Sequence, residues 1–321
     1  MWKFYYESVP TVCDLSIEIE EGETLVLLGT SGSGKTTTVK MVNRLIEPSR
    51  GRILIDGVDI MEQNVIGLRR KIGYAIQNIG LFPHMTIAEN IAVVPNLLGW
   101  PAKQTYKRVE VLLKMVGLEP EDFRDRYPTH LSGGQRQRIG VARALAADPP
   151  IVLMDEPFGA LDPITREQLQ DEFTELKSKI KKTIIFVTHD VFEAVKMGDR
   201  IALLDAGRLQ QLDTPAELVE NPANEFVEQF LGQHRFQLSL LTRTIEAVMP
   251  ETSGKMSSHD TSIPSLHLCA KGSIIGALDM FKKTGRSSLP VYEQQHFVGN
   301  IEKRQLLKAI TQMLRETGEA E

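Results

Sequence analysis

Apolar and polar positions change their period along the chain. In the first two thirds, short apolar runs of the kind buried in parallel sheets alternate with stretches of helical period. Residues 24–28, 151–154 and 183–187 are predicted as buried strands. Residues 52–55 followed by Asp56-Gly57 read as a strand and turn, and 200–205, Ala206-Gly207 and 208–211 as a hairpin. A helix is predicted over 36–45, and the mainly helical pattern between about 85 and 148 predicts a helical lobe inserted into the sheet domain. Helices near 215–220 and 224–231 follow. Residues 233–244 then read as a linker, and 251–265 are rich in Ser, Thr and Pro. A second small α/β pattern closes the chain: a helix over 274–284, strands over 289–292 and 295–302, and a helix over 303–314. The fold class is therefore α/β, with a mixed, largely parallel sheet domain over 1–235 and a linker and small domain over 236–321. No internal repeat is evident.

Composition narrows the function classes. The chain has 321 residues, enough for two domains, and is 42% hydrophobic and 25% charged, as in ordinary soluble proteins. A formal charge of −5 argues against a nucleic-acid partner held by general phosphate attraction. No apolar run approaches the ~20 residues that span a bilayer, and the N-terminus lacks the pattern of a secretory signal. Cys13 and Cys269 lie far apart, which suggests a reducing compartment and no disulfide framework. No Cys/His cluster has metal-ligand spacing.

The chemistry is concentrated in a few segments. Gly29, Thr30, Ser31, Gly32, Ser33, Gly34, Lys35 and Thr36 form a complete P-loop between a strand and a helix, with Thr37 next in line. Its backbone N–H groups can cradle phosphates, Lys35 adds a point charge, Thr36 offers a hydroxyl to Mg²⁺, and the helix N-terminus adds partial positive charge. The strand ending in Asp155-Glu156-Pro157 places Asp155 at the sheet edge, where it can hold Mg²⁺ through water, and turns Glu156 towards the γ-phosphate as general base. A lone histidine is more often packed or solvated, but His189 follows another strand, where open α/β sheets bind ligands, so it can donate to the γ-phosphate and the attacking water. Gln77 ends an apolar strand and could contact metal or water, or be a surface glutamine. Leu131-Ser132-Gly133-Gly134-Gln135 opens a helix that is predicted through Ala147, with Ser132 as its cap and a second anion site at its N-terminus. One P-loop already serves one nucleotide, so the simplest use of that second site is a partner chain's ATP.

These segments, in this order, together with Ala160-Leu161-Asp162, resemble an ATPase subunit of ABC transporters over residues 1 to about 232. The resemblance implies ATP and Mg²⁺ as cofactors and a head-to-tail dimer, expected to be a homodimer, with two ATPs between chains. It implies contacts from Ser132, Gly133, Gly134 and Gln135 to the partner's nucleotide, an interface role for Asp162, and nucleotide sensing by Gln77. Thr36, Gln77 and Asp155 would be the metal set, and Glu156, His189 and Gln77 the catalytic set. Tyr5 or Tyr6 would stack on adenine, the choice left open.

Further segments, among them Asn43-Arg44-Leu45-Ile46-Glu47-Pro48 and Gly80-Leu81-Phe82-Pro83-His84-Met85-Thr86, are similar to those of ATPases of glycine betaine, carnitine and choline importers. That likeness implies permease subunits as partners, docked near 80–94, an extracytoplasmic solute-binding protein acting indirectly, and a place on the cytoplasmic face of the membrane. By pattern alone, Leu81-Phe82-Pro83 could equally be core. Residues 244–310 resemble one CBS module, where relatives carry two. Glu302 and Gln305 stand near the positions at which ligand-binding modules carry a hydroxyl and an acidic residue, so pairing of chains is the expected role there. The other readings are an importer ATPase for an amino acid or polyamine, an exporter ATPase and a soluble non-transport ATPase. One cassette without coiled coils disfavours the last.

Overall fold

A computed structural model describes residues 1–6, 9–76, 80–159, 161–179, 181–249, 266–293 and 296–316. The contacts divide the chain into two compact units, Met1–Thr214 and Pro215–Glu321. The sequence places the change of domain near residue 235, whereas by contacts the helices that follow Pro215 group with the second unit.

The first unit begins with an antiparallel hairpin, β1 (Lys3–Tyr6) and β2 (Val9–Val12). Then come β3 (Thr24–Gly29), α1 (Lys35–Val42), the short pair β4 (Leu54–Ile55) and β5 (Val58–Asp59), α2 (Val65–Lys71) and β6 (Ile72–Ala75). The helical part contains α3 (Ile87–Leu97), α4 (Ala102–Met115), α5 (Pro120–Phe123) and α6 (Gly133–Ala144). The unit closes with β7 (Ile151–Asp155), α7 (Pro163–Lys179), β8 (Thr183–Thr188), α8 (Val191–Met197), β9 (Arg200–Asp205) and β10 (Arg208–Asp213).

The main sheet runs β10-β9-β3-β8-β7-β6, parallel except for β10. Its central strands are buried on both faces, which is why they read as continuous apolar runs instead of alternating ones. Leu25, Leu27, Leu153, Ile185 and Val187 join Val39 and Met41 of α1 in one core. On the other side, Phe158, Phe173 and Phe186 pack edge-to-face and tilted with centroids 5.7–6.4 Å apart, anchoring α7 to the sheet. α3 and α4 pack on α6, and α6 packs on β6. The inserted helical lobe thus matches the pattern over 85–148, and Thr86 caps α3 with a full capping box to Glu89. Two predicted helices are shorter than the pattern suggested: α1 stops at Val42 and α6 at Ala144. The predicted strand over 52–55 is reduced to Leu54–Ile55.

The second unit contains α9 (Pro215–Glu220), α10 (Glu225–Leu231), α11 (Arg235–Thr242), α12 (Ile245–Val248), β11 (Leu268–Cys269), α13 (Ile274–Thr284), β12 (Ser288–Glu293), β13 (His296–Glu302) and α14 (Lys303–Glu316). β11 is parallel to β12, and β12 is antiparallel to β13. Phe281, Leu289, Val291, Ile301, Leu306 and Met313 form its core. The expected linker over 233–244 is mostly helix. Phe236 and Leu240, four residues apart and so on one face of α11, pack against that core, and burial of this stripe outweighs the polar residues between them. The Ser/Thr/Pro-rich stretch over 251–265 lies outside the described residues.

Phe186 is fully buried between Phe158 and Phe173. Phe186→Ala should lower the stability of the first unit by about 3–5 kcal/mol. Chemical denaturation of the full chain measures this, and a loss below about 1 kcal/mol would mean the aromatic cluster does not hold α7 to the sheet.

Candidate nucleotide-binding and hydrolysis site

The parallel register brings the functional segments to one edge. β3 ends at Gly29 and leads into the P-loop, β7 ends at Asp155 opposite Val187 of β8, and β8 delivers His189 one residue beyond its end. Gly34 caps α1 with φ +94°, a left-handed conformation that few side chains tolerate. A Cβ there would also lie 2.6 Å from the Thr11 carbonyl, so two separate constraints require glycine.

Lys35 is buried, and its Nζ donates to the Gly29 and Thr30 carbonyls, each at 2.8 Å, and to Ser33 Oγ at 3.3 Å. Its ammonium thus sits inside the curl of the loop. Burial pushes its pKa down from the usual lysine range, opposed by the charges of Glu156 and Asp155. Ser33 and Gly34 are buried, Thr30, Ser31 and Gly32 are exposed, and Thr36 and Thr37 are half-buried. Thr30 Oγ1 donates to Asp205 Oδ1 at 3.2 Å.

Asp155 is buried between two hydroxyls. Thr36 Oγ1 donates to Oδ1 at 2.9 Å and Tyr74 OH donates to Oδ2 at 3.4 Å. Burial pushes the Asp155 carboxyl above the usual carboxylate range, while the Thr36 hydrogen bond acts the other way. It also pushes the Tyr74 phenol up, with the Asp155 charge adding to it. The Thr36 and Asp155 oxygens converge in the manner a small hard cation requires, so this pair fits Mg²⁺. Gln77 lies outside the described residues. Among the described residues no cluster of three or more His, Cys, Asp and Glu forms a metal site. A cation here would therefore depend on hydroxyl, water and phosphate oxygens.

Glu156 has φ +48°, unusual for a residue with a side chain and costing on the order of 1 kcal/mol. Hydrogen bonds hold it in that shape. Its N–H donates to the Val187 carbonyl at 3.0 Å, and its own carbonyl accepts from Gly159 N–H at 3.2 Å and from Gln137 Nε2 at 3.4 Å. Glu156 Oε1 lies 3.2 Å from His189 Nδ1, and that imidazole is largely exposed. A carboxylate and an imidazole are thus paired at the strand ends beside the P-loop lysine. Tyr74 and Gln137 were not legible as site residues, because their contacts to Asp155 and Glu156 span 81 and 19 positions of sequence.

The second signature stands elsewhere. Ser132 Oγ accepts from Gln135 N–H at 3.2 Å and Gln135 Oε1 accepts from Ser132 N–H at 3.0 Å, a reciprocal capping box opening α6. A Cβ on Gly134 would approach Leu161 Cδ2 to 3.0 Å and Thr165 Cγ2 to 3.3 Å, so the bare glycine lets α6 lie close to the start of α7. Ser132, Gly133, Gly134 and Gln135 line an open cleft with Asp162 and Thr165, and neither Lys35 nor Thr36 belongs to it. Asp162 is exposed and caps α7 through Thr165 N–H at 3.1 Å; hydrogen bonding to the Thr165 side chain, with that backbone bond, holds its carboxyl below the usual range. Ala160 lies outside the described residues. At the N-terminus Tyr5 is 52% exposed, with Lys3 Nζ 5.4 Å from its ring centroid. The side chain of Tyr6 is outside the description.

Phe82 is 40% exposed. Buried Asn90 fixes its loop: Oδ1 accepts from Phe82 N–H at 2.8 Å, and Nδ2 donates to the carbonyls of Phe82, Met85 and Thr86 at 2.9–3.1 Å. The ring thus borders a cleft shared with Arg69, Arg70, Tyr74 and Arg143. No helix among the described residues is long and apolar enough to cross a membrane.

The family described as ABC transporter matches residues 12–159. The chain is 54% identical over 267 residues to the glycine betaine/carnitine/choline transport ATP-binding protein OpuCA of Bacillus subtilis, a match covering 83% of this chain and 70% of that protein. It is 58% identical to the choline transport ATP-binding protein OpuBA of the same organism, covering 73% of this chain and 61% of that protein, so it spans a little under two thirds of this relative. The glycine betaine uptake system ATP-binding protein YehX of Escherichia coli is 50% identical, with 72% and 75% covered. Among solved structures, the dimeric post-hydrolysis state of the ATP-binding cassette MJ0796 bound to ADP and Pi superposes with a TM-score of 0.60 at 34% identity, covering 66% of this chain and 94% of that one. The chain belongs to the ATP-binding subunits of ABC transporters.

Proposed function

We propose that this protein is the ATP-hydrolysing subunit of a bacterial importer of quaternary-amine osmoprotectants, working as a dimer against separate permease subunits on the cytoplasmic face of the membrane. The observation that carries the reading is the gathering of the Lys35 loop, the Thr36–Asp155 pair and the Glu156–His189 pair at one sheet edge, in a chain 50–58% identical to importer ATPases. The cargo follows from those relatives alone, since no residue of this chain need touch it. A solute-binding protein would act only through the permease.

The residues have distinct tasks. P-loop amides and the α1 N-terminus receive the phosphates, and Lys35 Nζ exchanges loop carbonyls for phosphate oxygens. Thr36 and Asp155, with Gln77, would hold Mg²⁺, which neutralises charge on the β- and γ-phosphates. Glu156 accepts the proton of the attacking water, and His189 fixes the direction of its carboxylate. Ser132 and Gly134 stand in their own cleft, so they serve a nucleotide held by the Lys35 of a second chain, with Asp162 between the two sites. Tyr5, whose ring is exposed, is available to stack on adenine.

The strand and helix order β11–α13–β12–β13–α14 supports the likeness of the second unit to one CBS module. Gln305 Oε1 accepts from Glu302 N–H at 2.9 Å, which engages it in the start of α14. We therefore assign that unit to pairing of chains and not to nucleotide binding.

Glu156→Gln should leave ATP binding within a few-fold and lower turnover by about 10²–10⁴. The variant should sediment as a dimer when ATP is added; turnover near wild type would remove Glu156 from the role of base. Phe82→Ala should keep basal turnover and lose most of the stimulation produced by permease and solute in proteoliposomes. If glycine betaine, carnitine and choline do not stimulate where an amino acid or polyamine does, the cargo assignment is wrong.

A further inference from the structure

α8 carries a buried carboxylate that the hydrolytic mechanism does not use. Glu193 is only 5% exposed, yet both its oxygens are engaged. Oε2 accepts from the Thr188 hydroxyl at 2.6 Å, and Oε1 accepts from Gln170 Nε2 at 3.1 Å. The Thr188 oxygen in turn accepts from Asp190 N–H at 3.0 Å, and Asp190 Oδ1 accepts from Phe192 N–H and Glu193 N–H at 2.8 and 3.3 Å. Thr188 and Asp190 are the two chain neighbours of His189. The main chain on both sides of the imidazole is therefore tied, through one hydroxyl, to one buried carboxylate. Gln170 is the other end of the relay. It lies on α7, whose first turn is capped by Asp162.

We propose that Glu193 is a positioning residue for hydrolysis: acting through Thr188, it sets the place of His189 against Glu156 and ties that pair to the helix that begins at Asp162.

A carboxylate removed from water is unfavourable unless its oxygens are satisfied by well-aligned donors. Burial pushes the Glu193 carboxyl above the usual range, and the Thr188 and Gln170 bonds oppose that shift. A core position that needed only packing would be served by Leu or Met at lower cost. What the carboxylate adds is orientation. By taking the Thr188 proton it leaves the Thr188 lone pairs for Asp190 N–H, which closes the tight turn that presents His189. The imidazole itself is largely exposed and held at its tip by Glu156 alone among the described hydrogen bonds, so its placement depends on the backbone beneath it.

This inference rests on the ATPase reading, and the test separates the two. Thr188→Val keeps the shape and burial of the side chain but removes the hydroxyl, Thr188→Ser restores the hydroxyl, and Glu193→Gln removes the charge. In the full chain, Thr188→Val should lower kcat about 10- to 100-fold, the scale of a displaced catalytic group, with ATP Kd within about threefold of wild type. Thr188→Ser should recover most of the loss, and Glu193→Gln should also lower kcat, with an effect that is not additive with that of Thr188→Val in a double-mutant cycle. A second readout needs no turnover: the imidazole NMR signal of His189, identified by its loss in His189→Gln, should shift in Thr188→Val and return in Thr188→Ser. An unchanged kcat and an unchanged His189 signal in Thr188→Val would overturn the proposal. So would a loss of kcat matched by equal losses of ATP affinity and thermal stability, since Glu193 would then only hold the fold. Absence of turnover in the wild type would sink the ATPase reading, while the His189 signal would still decide the positioning claim.

Discussion

The register between β3, β8 and β7 is the constraint on which the rest depends. Pairing Leu28 with Thr188 and Asp155 with Val187 brings Gly29, Asp155 and His189 to one edge, although Gly29 precedes the other two by well over a hundred residues of sequence. A slip of one residue would turn each strand's side chains to the opposite face. Asp155 would leave the Thr36 hydroxyl, and Glu156 would lose the Val187 carbonyl that holds its left-handed backbone. The apolar faces of Leu25, Leu153, Phe186 and Val187 fix that register, so the hydrophobic core sets the geometry of the polar site.

The site stores unfavourable electrostatics in a form that nucleotide can relieve. Lys35 and Asp155 are both removed from water, and burial opposes the charged form of each. Loop carbonyls and two hydroxyls compensate them in part. Phosphate oxygens are better partners for the ammonium than neutral carbonyls, and a cation is a better partner for the carboxylate than a hydroxyl. Binding thus has an electrostatic gain available before any chemistry occurs.

Much of this was legible in the sequence because it is local. The P-loop, the strand into Asp155-Glu156 and the Ser132 cap are short patterns whose structural meaning follows from spacing, and α13 matches its predicted span of 274–284 residue for residue. What escaped was non-local or compensated. α11 was hidden because its apolar stripe over Phe236 and Leu240 is too short to stand out among polar neighbours and gains its meaning from a core built by residues 245–313. α7 carried no early signal beyond Asp162-Pro163 and the pair Leu169 and Phe173; both are buried, and Phe173 gains its partners, Phe158 and Phe186, from outside the helix. Tyr74, Gln137, Asn90 and Glu193 act on atoms 8 to 81 positions away or lie on unremarkable helices, so no motif marks them.

In the proposed dimer the phosphate cradle and the Ser132–Gly134 signature, which stand apart within one chain, meet only across two chains. Turnover per chain measured against chain concentration, with sedimentation in the same buffer, tests it most directly. Turnover per chain should rise with concentration in step with the dimer fraction and approach zero in the monomer. A turnover per chain that stays constant down to concentrations at which only monomer sediments would contradict it.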